Sequence, residues 1–173
     1  AWAVLDTAIY QGDRAMFGLL LDQGAAIDLP SLDGVLPLEQ ALRCYGGDTA
    51  ELCAARHAMV LALLARDVEI GLADNPPGEL LRAAIAQRSR LLFDALLAAG
   101  ATVDMQPNAL YARPSPLYAV AHGWPGAEGA AVAAILLDRG ADLEFRRGDL
   151  TDYTPLLQAA AAANRAVLAL LLE

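Results

Sequence analysis

Lysine is missing altogether. All 12 basic residues are arginine, against 21 acidic ones, and the formal net charge is −9. That balance offers no basic stripe for a phosphate backbone, so nucleic acid is excluded as an expected partner. It favours a protein partner with a basic surface, whose encounter an acidic field accelerates. The same charge also keeps an apolar chain in solution. Aromatic residues make up only 6% of a chain that is 57% hydrophobic. A core so poor in rings and so rich in Ala and Leu points to close-packed helices rather than a β-sandwich. No uninterrupted apolar run approaches the ~20 residues of a membrane-spanning helix. The stretch Gln158 to Leu172 is interrupted by Asn164 and Arg165, so no membrane insertion is expected.

Cysteine and histidine each occur twice, as Cys44, Cys53, His57 and His122. There is no CxxC and no Cys/His cluster, so neither a metal nor a cofactor is expected. The two cysteines leave both a disulfide and two free thiols open. GxSxG, the P-loop, GxGxxG and HExxH are all absent. Cys44 and His57 are the one pair from which a thiol–imidazole nucleophile could be built. No orienting group or oxyanion site accompanies them, and the chain is not expected to be an enzyme.

What the chain does contain is repetition. Leu-Leu, two residues and Gly-Ala recur at Leu20–Ala25, Leu96–Ala101 and Leu136–Ala141, with a degraded copy at Leu63–Val68. Each copy is followed by an acidic or apolar ending such as Ala26-Ile27-Asp28 or Thr102-Val103-Asp104. A second series aligns on Ala8, Ala41, Ala84, Val120 and Ala159, at intervals of 33, 43, 36 and 39 residues. The distances Ala8 to Gly24 and Ala84 to Gly100 are both 16. The second and fourth copies carry extra residues, around Cys44 to Arg56 and Gly123 to Ala130. Each unit reads as helix, turn, helix and extended loop. Pro37, Pro116 and Pro155 stand where first helices should begin, since proline's fixed φ and missing N–H suit the first turn. Gly24, Gly100 and Gly140 stand where second helices should end, in a left-handed conformation.

The segment Thr154-Pro155-Leu156-Leu157-Gln158-Ala159, followed by Leu170-Leu171, resembles the T-P-L-H-x-A opening and Leu-Leu of the ankyrin repeat. Leu36-Pro37-Leu38-Glu39 and Ser115-Pro116-Leu117-Tyr118 are weaker copies, and no unit has the histidine. The resemblance implies an all-α, ankyrin-like solenoid over residues 1–173. Its units are approximately 1–30, 31–74, 75–106, 107–147 and 148–173, with the Ala73–Gly78 stretch as an inter-repeat loop. Neither end shows a polar capping repeat, so the chain is expected to be part of something longer or to have covered ends. The lysine-free composition fits a GC-rich bacterial source, with cytoplasm and periplasm both open.

Family resemblance also implies function: a protein-binding module that docks its partner on a concave side made of loop fingers and first helices. Carried over by position, that surface takes Tyr10, Gln11, Arg43, Gln87 and His122 from the first helices. From the fingers it takes Leu32, Asp33, Val35, Asn75, Tyr111, Arg113, Leu150 and Tyr153, with Trp124 beside the row. Tyr, Trp and Arg make Tyr111, Tyr153, Trp124 and Arg113 the leading anchors, because such side chains dominate binding hot spots. For Trp124 the alternative is that it folds back to cap its own loop. Arg146 and Arg147 read as solvated charges. Inhibition of a bacterial effector, as an immunity protein does, is the more specific form of this function. The other readings are a regulatory or targeting segment of a larger enzyme, and a periplasmic stress-protection scaffold.

Overall fold

A computed structural model describes residues 2–31, 33–66, 68–70, 78–104, 114–145 and 153–173. Among these residues there are ten principal helices and no strand. They are α1 (Trp2–Gln11), α2 (Arg14–Asp22), α3 (Pro37–Leu42), α4 (Ala50–Leu64) and α5 (Glu79–Ala86). The others are α6 (Arg90–Ala98), α7 (Pro116–Gly123), α8 (Gly126–Asp138), α9 (Pro155–Ala161) and α10 (Arg165–Leu171). The chain divides into two compact units, Ala1–Ala73 and Asp74–Glu173.

Helices pack in consecutive pairs: α1 with α2, α3 with α4, α5 with α6, α7 with α8 and α9 with α10. Within the first unit, α1 also packs on α3 and α2 on α4. Within the second, α7 lies against both α5 and α9, and α8 against α10. Within each unit first helices thus stack on first helices, and second helices meet in the pairs α2–α4 and α8–α10. The five aligned positions Ala8, Ala41, Ala84, Val120 and Ala159 are all buried, which is what lets neighbouring first helices approach. Around them lie Leu38, Leu42, Leu81, Ile85 and Leu117, with Phe93, Leu96, Val132 and Leu136 from the second helices. Burying each large aliphatic or ring contributes about 1.5–3 kcal/mol.

The turns repeat at the level of single hydrogen bonds. After α1, α5 and α9 the backbone passes through a left-handed residue: Gly12, Arg88 and Ala163, at φ +70°, +51° and +53°. The next amides, of Asp13, Ser89 and Asn164, donate to the carbonyls of Ala8, Ala84 and Ala159 at 2.9, 3.1 and 2.9 Å. The same three side chains then cap the second helix, accepting from the amides of Met16, Leu92 and Val167. Second helices close alike. Gly24, Gly100 and Gly140 have positive φ, and Ala25, Ala101 and Ala141 donate back to Leu20, Leu96 and Leu136. This six-to-one closure satisfies carbonyls that a helix end leaves bare. Pro37, Pro116 and Pro155 each open a first helix, as their fixed φ requires.

The extra residues are absorbed partly as longer second helices, α4 with 15 residues and α8 with 13. Thr49 caps α4 through the Leu52 amide. Gly129 lies so close to the Trp124 backbone that a Cβ would stand 1.7 Å from its carbonyl oxygen, so only glycine fits there. Cys44 and Cys53 are joined in a disulfide across the first insertion, with Cα atoms 5.6 Å apart. Closing so short a loop stabilises the folded state by about 2–3 kcal/mol on the chain-entropy account. Reduction should therefore lower the melting temperature by roughly 5–10 °C, followed by circular dichroism with and without reductant. A melting temperature that does not move would show that the bridge leaves the folded state unaided.

Among the described residues, no helix is long and apolar enough to cross a membrane.

Candidate functional site

The second unit holds a recess of about 380 Å³ walled by α5, α7 and α9. Arg82 comes from α5, Arg88 from the turn that follows it, Tyr118 and His122 from α7, and Gln158 from α9. A relay orders the floor. The Tyr118 hydroxyl donates to Gln158 Oε1 at 2.7 Å, and Gln158 Nε2 donates to His122 Nδ1 at 2.7 Å. With Nδ1 accepting, a neutral His122 carries its proton on Nε2. Arg88 Nε donates to the Gly123 carbonyl at 2.6 Å, satisfying a bare carbonyl at the end of α7. Arg82 grips Glu79 through two nitrogens, Nε at 2.8 Å and Nη2. That hydrogen-bonded carboxylate raises the guanidinium pKa further above its usual value.

The first unit presents a shallower recess of about 250 Å³, with the opposite chemistry. Asp6 and Tyr10 reach it from α1, Gln40 from α3, and Ser31 and Asp33 from the finger between them. The finger turns tightly: the Ser31 amide donates to the Val35 carbonyl at 2.8 Å, and the Val35 amide to Ser31 Oγ. Asp6 Oδ1 is buried and has no hydrogen-bond partner among the described residues. Burial pushes its carboxyl above the usual carboxylate range.

The two recesses bring together only part of the surface expected from the sequence. Tyr10 and Asp33 meet, and Tyr10 is 63% exposed with its ring 5.6 Å from the Arg56 guanidinium. Val35 is half-buried in the same finger. Gln11 lies instead in a separate depression with Val4, Asp13 and Met16. Arg43, at the end of α3, pairs with Glu39. Gln87 is half-buried just before Arg88, and His122 is exposed in the larger recess. Tyr153 is 38% exposed ahead of α9. Leu32, Asn75, Tyr111, Arg113, Arg146, Arg147 and Leu150 lie outside the described residues.

Trp124 corrects the expectation of a surface anchor. It is 2% exposed, and its carbonyl is bonded by Asn164 Nδ2 at 3.2 Å. An indole on a short insertion can bury more area inward than outward, and here it does. Cys44 Sγ and His57 Nε2 are 3.7 Å apart, but that sulfur is already bonded to Cys53. No group of three or more His, Cys, Asp or Glu among the described residues could hold a metal ion.

Arg82, Arg88, Tyr118 and Gln158 escaped the sequence reading. For Arg88 a signal was available: it stands four residues after Ala84, where the first unit has Gly12 four after Ala8. The last unit has Ala163 four after Ala159, so a charged residue at this register is what sets Arg88 apart from the small residues of its equivalents. Gln158 gave no such signal, because its partners come from another helix. The sequence matches no protein-family model and no curated protein.

Proposed function

We propose that this chain is a protein-binding module of the ankyrin type, which holds its partner on the face formed by first helices and fingers. The observation that carries this reading is the shared recess of the first unit, where α1 and finger side chains, Tyr10 and Asp33 among them, line one opening. The three-helix recess around His122 adds a second opening, built from first helices and the turn that carries Arg88. Repeated turns and stacked helix pairs make each unit rigid, so little order within a unit is lost on binding. Inhibition of an effector enzyme is the specific form we favour, because rigid occlusion needs no chemistry from the inhibitor. The disulfide favours an oxidising compartment for the encounter.

Site-specific photo-crosslinking tests the face directly. A benzoyl-phenylalanine placed at Tyr10, Asp33 or His122 should trap one and the same protein from the source lysate. The same probe at Leu19 or Leu91, exposed residues of second helices, should not. Equal trapping from both sets, or none from the first, would sink the reading. If the trapped protein is an enzyme, loss of its activity on adding this chain decides for inhibition.

A further inference from the structure

The larger recess is lined by hydrogen-bond donors, and no carboxylate among the described residues lines it, in a chain whose net charge is −9. Arg82 is already compensated by Glu79. Arg88 is different. Its Nε is used by the Gly123 carbonyl, while its two terminal nitrogens have no hydrogen bond to any described residue. Those two nitrogens form the end of the guanidinium that grips a carboxylate through parallel N–H···O bonds. His122 lines the same recess, its tautomer set by Gln158 so that Nε2–H is a further donor. Arg88 sits at φ +51° in a turn whose equivalents carry Gly12 and Ala163 at φ +70° and +53°. The turn therefore does not itself require an arginine, and its guanidinium is left to act in the recess.

We propose that this recess binds a carboxylate of the partner protein, a Glu or Asp side chain in an acidic segment, and that Arg88 holds it. The proposal rests on the protein-binding reading above and reverses its charge expectation locally: the field of the whole chain favours a basic partner surface, whereas this recess selects an acidic side chain within it. At physiological salt the Debye length is about 8 Å, so the distant acidic surface is screened while the contact is not.

The probe is fluorescein-labelled hexaglutamate, titrated into the full chain in 0.15 M salt, with hexaglutamine and a phosphoserine hexapeptide as comparisons. Hexaglutamate should bind and hexaglutamine should not. Arg88→Gly should weaken hexaglutamate at least about tenfold. Its melting temperature should hold or rise, since glycine accepts the left-handed backbone without strain. Arg88→Lys should bind with intermediate affinity. Hexaglutamate no tighter than hexaglutamine, or unaffected by Arg88→Gly, would overturn the proposal. Tighter binding of the phosphoserine peptide would replace the carboxylate with a phosphate. If crosslinking traps a partner but hexaglutamate fails, the carboxylate proposal falls and the binding module stands. If hexaglutamate binds through Arg88 and no partner is trapped, the anion site stands and the protein-binding reading falls.

Discussion

Replacing Arg56 by Ala should destabilise the chain by about 3–5 kcal/mol, the scale for removing one partner of a buried ion pair. Arg56 is 1% exposed and uses all three of its nitrogens. Nε donates to the Ile9 carbonyl at 3.0 Å and Nη2 to the Tyr10 carbonyl at 2.5 Å. Nη1 donates to the Arg43 carbonyl at 3.0 Å and to Asp48 Oδ2 at 2.6 Å. One side chain on α4 thereby satisfies the bare carbonyls at the end of α1 and at the end of α3, and anchors the inserted loop. Tyr10 and Tyr45 stand over its guanidinium, with ring centres 5.6 and 5.7 Å away. Alanine would leave three carbonyls without a donor beside a cavity, and the Asp48 carboxylate with the Tyr45 amide but no counter-charge. Arg56→Lys should recover less than half of the loss, because an ammonium cannot reach three carbonyls held in a planar fork. Urea unfolding with an unchanged slope is the measurement. An Arg56→Met variant as stable as the parent would show that the buried stem, and not the hydrogen bonds, supplies the stability.

The second unit has a neutral counterpart in Asn164. Its Nδ2 donates to the carbonyls of Val120, Ala121 and Trp124, at 3.3, 3.2 and 3.2 Å, and its Oδ1 accepts from the Val167 amide. Again a side chain from a second helix closes the end of a first helix in the preceding pair. Asn164→Ala should cost about 3 kcal/mol: roughly 1 for the lost cap and 1–3 for carbonyls left buried without a donor. Asn164→Asp separates the two roles. An aspartate keeps the cap but turns the donor into an acceptor facing three carbonyls, so it should be at least as damaging as alanine. Thermal unfolding of the three proteins decides it; an aspartate variant close to the parent would mean that the carbonyl contacts contribute nothing.

Arg56, Asn164 and Arg88 share one task, the satisfaction of carbonyls at first-helix ends. Arg56 and Asn164 do it from inside, where their loss is a matter of stability. Arg88 does it from an exposed turn, with two nitrogens left over. That surplus is why the effects should separate: Arg56 and Asn164 variants should lose stability, whereas Arg88→Gly should lose binding.

The local features were determined by the sequence alone. Proline at the start of α3, α7 and α9, glycine after α2, α6 and α8, and buried Ala8, Ala41, Ala84, Val120 and Ala159 were all readable in order. Each follows from φ/ψ preference, helix propensity or close helix approach, which act over one to five residues. Helix class followed from the same local rules. Contacts between distant residues were decided only by the tertiary structure. Arg56 meets carbonyls 46 and 47 positions earlier in the chain, and Asn164 meets carbonyls 40 to 44 earlier. Nothing in the identity of an arginine or asparagine says whether its donors face water or a helix end. Trp124 makes the same point: a ring in an insertion buries its area wherever room is left, and here it is 2% exposed. The pairing of Cys44 with Cys53 and the meeting of Arg88, His122 and Gln158 likewise depend on how helices pack, because a recess belongs to several elements at once and to none of them in sequence.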